Sequence, residues 1–197
     1  MIPALRKIVF TGAPCSGKTE IIGRLAARHG GRVVVVPEVA GLAFAMNLAD
    51  GRADGRKIFF EAIAALQVRL EEVAEACANR LDRPVMLLDR GFFDVVAYAE
   101  AYGATEVDAL GALGPGGVVP RYDLVFNLGT AFGVVDEATR RANNRGESLP
   151  QVLRIAEALG SVWRRDHRVI DVAMAPAGIE DKARLVERLL AEADVLT

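Results

Sequence analysis

Lys7-Ile8-Val9-Phe10-Thr11-Gly12-Ala13-Pro14-Cys15-Ser16-Gly17-Lys18-Thr19 is an apolar run that breaks into a glycine-bounded turn and ends on a lysine and a threonine. Residues 12–19 fill the pattern G-x-x-x-x-G-K-[ST] completely, which chance would place in about one per cent of chains this long. The flanks give the pattern its meaning, because an apolar strand leads into the turn and an amphipathic stretch, Lys18–His29, leads out of it. Gly12 and Gly17 let the backbone bend without a Cβ clash. Backbone N–H groups along Ala13, Pro14, Cys15, Ser16 and Gly17 (all but that of the proline) then form a nest for anions at the positive end of a helix. The expected ligand is a nucleoside triphosphate, with Lys18 on the β- and γ-phosphates and the Thr19 hydroxyl on Mg²⁺. Cys15 lies inside this turn near a helix N-terminus, where a thiol pKa is lowered. It reads either as a redox-sensitive group or as a small residue that fits the turn.

Outward from that turn, four further runs read as strands: Val33–Val36, Val85–Leu88, Leu124–Leu128 and the more mixed Arg168–Val172. The runs do not alternate as half-exposed strands do, which suits a parallel sheet covered on both faces. Helical stretches lie between them at Lys18–His29, Lys57–Arg80, Leu149–Trp163 and Ile179–Ala193. In the long one, Phe59, Ile63, Leu66, Leu70, Val73 and Cys77 recur at helical spacing, predicting one apolar face. Strands alternating with helices imply right-handed βαβ units and an α/β sandwich. Ala112–Pro120 reads as a glycine- and proline-rich loop. No linker or repeat divides residues 1–197, so a single domain is expected.

The bulk numbers exclude several classes. At 197 residues, 52% apolar and 25% charged, the chain has a globular composition and is long enough to fold without metal or disulfide staples. A net charge of −2, spread along the chain, gives no footprint for nucleic acid. No apolar stretch reaches the roughly 18 residues of a membrane span. The start is too short in its apolar run for a signal peptide. The two cysteines, Cys15 and Cys77, fit neither a zinc spacing nor a disulfide framework, and a reduced, cytoplasmic protein is expected.

Further candidates follow from strand ends. Val85–Leu88 runs into Asp89, a Walker B pattern that would hold Mg²⁺ beside the phosphate loop, directly or through water. Arg90 follows and reads either as a bidentate clamp on an acceptor or on the moving phosphoryl group, or as a surface arginine on a turn. Pro37-Glu38 ends the second strand on the same edge, where Glu38 reads either as a general base near an acceptor hydroxyl or as an acid at a helix start. Gln67, on the long helix, reads either as a lining residue of an acceptor pocket or as a solvated side chain. Arg140, Arg141 and Arg145 lie in a polar, basic segment, about 130–148, that reads as a lid over the γ-phosphate or as a solvated helix. His29 and His167 receive no role.

Taken together, TGAPCSGKT, PEVA (Pro37–Ala40), LLDRG (Leu87–Gly91), YDLVFNL (Tyr122–Leu128) and DEATRR (Asp136–Arg141) resemble the P-loop kinase group. The resemblance is strongest to the small AAA-type ATPase/kinase family related to the kinase domain of the bifunctional NAD-synthesis regulator. It implies a three-layer P-loop NTPase sandwich with a five-stranded parallel sheet in the order 2-3-1-4-5. It implies ATP as donor and a small-molecule acceptor near Glu38, Arg90 and the long helix. The DRG also looks like the Asp/Glu-Arg motif of deoxynucleoside and thymidylate kinases, and the arginine stretch like their lid, although RRANNR does not match it residue by residue.

The activity this predicts is ATP- and Mg-dependent phosphoryl transfer to a small molecule such as a nucleoside or nucleotide, with Lys18, Asp89, Arg90, Glu38, Arg140 and Arg145 as the catalytic set. The alternative is an ATP-binding regulatory ATPase that switches a protein partner. A second pocket between Glu38 and the long helix distinguishes the two. A signalling GTPase needs N-K-x-D after the fourth strand, where this chain has Asn127-Leu128-Gly129-Thr130. An AAA+ ring motor would need a further helical domain. The loop Ala173–Gly178 is the expected contact for the base.

Overall fold

The computed structural model describes residues 4–48, 53–104, 107–109, 111, 121–133, 147–174 and 178–196. Five strands form one parallel sheet: β1 Arg6–Thr11, β2 Val33–Val36, β3 Val85–Asp89, β4 Leu124–Leu128 and β5 Val169–Val172. Their order is β2-β3-β1-β4-β5, as the resemblance implied. Register fixes which residues emerge together. Phe10 pairs with Asp89 on one side of β1 and with Phe126 on the other, so Gly12, Arg90 and Gly129 all leave the sheet at its carboxyl edge. That edge is where open parallel sheets bind ligands.

Side chains along each strand alternate between two apolar layers. Val9, Met86, Leu88 and Val125 face one layer with Phe60, Phe92, Leu159 and Trp163. Ile8, Phe10, Leu87 and Phe126 face the other with Ile21, Leu25, Val186 and Leu190. The first layer carries helices α3 Ala53–Arg80, α4 Phe92–Ala101 and α5 Leu149–Trp163. The second carries α1 Lys18–His29 and α6 Ile179–Glu192. A short α2, Ala40–Ala45, follows β2. β1 and β3, in the middle of the sheet, carry apolar side chains toward both layers, which is why their runs read as continuous rather than alternating, while the edge strand β5 exposes Asp171 and reads as mixed.

The apolar face expected on the long helix is corrected by one residue. The buried line is Phe60, Ala64, Gln67, Glu71, Ala74 and Ala78, each one position after the predicted member. Val73 and Cys77 are exposed. Three alanines on the buried line admit close approach of α3 to the layer beneath, while larger side chains such as Phe59, Ile63 and Leu70 flank the contact half-buried. Periodicity gave the right period with the wrong phase, because two members of the buried face are polar. Helices α2 and α4 were not anticipated. Phe92–Ala101 is apolar nearly all round, so it has no polar stripe to announce a helix.

Candidate active site

β1 ends at Thr11, and the chain turns through Gly12 at φ 144° and Gly17 at φ 82°. A Cβ on Gly12 would lie 2.4 Å from the Leu128 carbonyl oxygen, and one on Gly17 would lie 2.4 Å from Ile179 Cδ1. Gly12 therefore requires glycine on steric grounds as well as on φ, because the obstacle is backbone, whereas at Gly17 the Ile179 side chain could yield and the requirement rests on φ. Cys15 takes φ 62° without that freedom. Lys18 folds back over the turn, its Nζ 3.2 Å from the Gly12 carbonyl and 3.1 Å from Ser16 Oγ. Its burial, and then the nearby charge of Arg90, pull its pKa down to about 7. A desolvated ammonium with no carboxylate hydrogen bond among the described residues is primed to receive an anion.

Thr19 donates its hydroxyl to Asp89 Oδ2 at 2.6 Å, joining the start of α1 to the end of β3. The other carboxylate oxygen, Oδ1, is buried with no partner among the described residues, and burial lifts the Asp89 pKa. A hydroxyl beside a carboxylate with one orphaned oxygen fits a small hard cation that takes its remaining ligands from phosphate and water. No group of three or more His, Cys, Asp or Glu among the described residues would hold a metal by itself.

Arg90 follows Asp89 at φ 76°, a left-handed conformation that turns its side chain back over the sheet edge. Its Nε donates to Glu38 Oε1 at 3.0 Å, and Nη1 donates to Asp94 Oδ1 at 3.0 Å and to the Gly12 carbonyl at 3.3 Å. Nη2 is buried without a partner among the described residues. The guanidinium stands 4.8 Å from the centre of the Tyr98 ring, a cation–π distance. Asp94 closes the arrangement, accepting also from Thr11 Oγ1 at 2.7 Å, Gly91 N at 3.0 Å and Trp163 Nε1 at 3.2 Å.

Beside Arg90 a cavity of about 240 Å³ opens between α2, α3 and α4. Phe44, Phe59, Phe60, Ile63, Tyr98 and Tyr102 supply apolar walls, and Glu38, Arg56, Gln67, Arg90, Asp94 and Glu147 the polar points. Gln67 is not solvated: it is buried, with Nε2 donating to Glu71 Oε1 at 2.8 Å and to the Arg90 carbonyl at 3.3 Å. Tyr122 donates its hydroxyl to the same Glu71 oxygen at 2.9 Å and accepts from Phe92 N at 2.9 Å. Burial pushes the Glu71 carboxyl up to about 7, against the opposing hydrogen bonds from Gln67 and Tyr122.

A family model described as an AAA domain matches residues 7–182. The chain belongs to this AAA domain family. No curated protein matches the chain. Among solved structures, the AAA domain is similar to thymidylate kinase from Ehrlichia chaffeensis, at 17% identity and TM-score 0.63 over 95% of this chain and 100% of that one. It is similar to deoxyadenosine kinase from M. mycoides, at 14% identity and TM-score 0.65 over 94% of this chain and 99% of that one. Thymidylate kinase from Candida albicans matches at 15% identity and TM-score 0.63 over 98% and 93% of the two chains. At these identities the likeness is one of fold.

The fold of this AAA domain brings Gly12–Thr19, Glu38, Gln67, Asp89 and Arg90 to one sheet edge. Arg140, Arg141 and Arg145 lie outside the described residues, as does most of the segment about 130–148. Cys15 packs half-buried against the α3–α4 layer, and neither cysteine is in a disulfide. His29 lies 3.1 Å from Glu187, and His167 packs on Phe93, Tyr122 and Trp163. No helix among the described residues is long and apolar enough to cross a membrane. Sequence reasoning missed Asp94, Glu71, Tyr122 and Lys182. Only Lys182 carried a usable signal: with Val186 and Leu190 it occupies the buried stripe of α6, where a lysine is out of place.

Proposed function

We propose that this AAA domain transfers the γ-phosphoryl group of Mg-ATP to a small-molecule acceptor of nucleoside or nucleotide type. The observation that carries this reading is the position of Arg90. It touches the phosphate loop at Gly12 on one side and lines the aromatic cavity on the other. A donor cradle and a second pocket meeting at one guanidinium supports transfer between two bound molecules over simple hydrolysis. It therefore favours a kinase over an ATPase that switches a protein partner.

The residues divide the work by chemistry. Residues Gly12 to Thr19 bind the phosphates, Lys18 neutralises charge on the transferring group, and Thr19 with Asp89 holds the metal. Bound Mg-ATP supplies the phosphoryl group and the cation that offsets its charge. Arg90 offers its buried Nη2 to the acceptor or to the group in transit. Glu38, fixed by Arg90 Nε, accepts the proton of an acceptor hydroxyl. The aromatic walls suit a flat ring. Gln67 commits its Nε2 to Glu71 and to the Arg90 carbonyl, so its carbonyl oxygen is what it presents to the cavity, and the ring is expected to bring an N–H. The segment about 130–148, with Arg140 and Arg145, closes as a lid over the phosphates. The chain works as one domain in a reducing cytoplasm.

The test is ADP release from Mg-ATP by the purified protein, with and without pooled nucleosides, nucleotides and vitamin-like alcohols, using Lys18→Ala as the blank. A pool that lifts the rate well above basal supports the kinase and narrows the acceptor. A slow rate indifferent to every pool overturns it in favour of the switch.

A further inference from the structure

Lys182 stands in the first turn of α6 and is 4% exposed. Its Nζ donates to the Ser16 carbonyl at 2.9 Å and to the Gly129 carbonyl at 2.6 Å. Burial alone pulls its pKa down to about 8, with no carboxylate contributing. A buried ammonium met, among the described residues, by carbonyl dipoles and no carboxylate is costly to the fold.

Its neighbours show what it does. The carbonyl of Pro14 accepts from Thr130 Oγ1, and that of Cys15 accepts from Ala131 N at 3.0 Å. With Lys182 on Ser16, three successive carbonyls of the phosphate loop are each held from outside, by the exit of β4 and the base of α6. None of these peptides is cis. In a trans peptide the N–H points opposite to the C=O. Fixing the carbonyls of residues 14, 15 and 16 outward therefore turns the N–H groups of Cys15, Ser16 and Gly17 to the other side, where Lys18 Nζ lies between Gly12 O and Ser16 Oγ.

We propose that Lys182, together with Thr130 and Ala131, forms a collar that presets the phosphate loop, making Lys182 a positioning residue for polyphosphate binding. This rests on the reading that the loop takes a nucleoside triphosphate. The collar does not touch the acceptor cavity. It acts on ground state and transition state alike, so it raises affinity without changing the rate of transfer.

The experiment is calorimetric titration of the full chain with Mg-tripolyphosphate, which has phosphates and no base. Lys182→Met is expected to raise Kd about tenfold, on the scale at which outer partners of a binding group act, with binding stoichiometry kept near one. A damaged fold would instead lower the stoichiometry and leave the Kd of the surviving fraction alone. Unchanged Kd overturns the collar, and so does a loss confined to stoichiometry. Should Lys182→Met fail to fold, Thr130→Val removes one collar bond at nearly constant volume and is expected to raise Kd about threefold, with no change again overturning the proposal. If the wild-type chain binds neither Mg-tripolyphosphate nor Mg-ATP, the triphosphate reading falls first and the collar with it.

Discussion

The two halves of the site are built on opposite plans. On the phosphate side, Gly12–Thr19 is one contiguous turn, bent at two glycines between a strand and a helix and held from outside by Thr130, Ala131 and Lys182. On the acceptor side, Glu38, Gln67, Glu71, Arg90, Asp94, Tyr122 and Trp163 come from separate parts of the chain and hold one another through a shared set of hydrogen bonds. The first half keeps a desolvated lysine ready for a ligand. The second satisfies most of its own charges internally. The phosphate side is thus expected to trade stability for binding, and the acceptor side to lend stability to the fold.

The sharpest break is Asp94→Ala. It removes the acceptor of four hydrogen bonds and leaves the buried Arg90 with Glu38 as its one carboxylate partner among the described residues. A loss of about 3–5 kcal/mol in urea unfolding is expected. A loss under about 1 kcal/mol would show that this half is not interlocked.

Glu71→Gln sharpens the comparison through pH. Glu71 has a folded pKa of about 7 against an ordinary 4.5, so the folded state holds its proton more tightly. The wild type should therefore lose stability relative to the variant as pH rises from about 4.5 to about 7. The gap is complete above that range, with a ceiling of about 3 kcal/mol. Unfolding at pH 4 and pH 8 reads it directly.

Lys18→Met tests the other half with the opposite sign. Lys18 has its folded pKa lowered from 10.5 to about 7, so the unfolded chain binds its proton more tightly. The variant should be the more stable ligand-free protein at pH 7 and below. A gain of about 2 kcal/mol is expected after the lost hydrogen bonds to Gly12 and Ser16 are offset, and it fades as pH climbs toward 10. A destabilised variant at pH 7 would erase the distinction between the halves.

Smaller effects should follow at two further positions. A Cβ on Gly91 would meet Trp163 Cη2 at 2.9 Å and Tyr122 at 3.1 Å, so Gly91→Ala should cost about 1–2 kcal/mol by overpacking. Arg24→Ala removes exposed ion pairs to Glu20 and Glu180 and should leave the thermal midpoint unmoved.

The same division explains what the amino-acid sequence disclosed. The phosphate loop, Asp89 and most of the predicted strand and helix ends are local properties, written in glycines, apolar runs and caps within a few residues. Leu149–Trp163 and Lys18–His29 match the predicted spans at both ends. Asp94 carried no local signal, because what sets it apart is Trp163, 69 residues away. Glu71 fell outside the predicted apolar line, and Gln67, read either as a pocket residue or as solvated, is buried beside it, because the buried line of α3 pairs small residues with polar ones. Long-range satisfaction of polar groups leaves no periodic trace, so Glu38, Gln67 and Arg90 could be named from the sequence while the Asp94, Glu71 and Tyr122 that hold them could not.

Trp163 is the one tryptophan in the chain, fully buried, with its indole N–H on the carboxylate that also receives Arg90. Every photon of indole emission therefore originates about two hydrogen bonds from the junction of the two pockets. The molecule carries its own optical probe, so that filling either pocket can be followed by intrinsic fluorescence with no label attached.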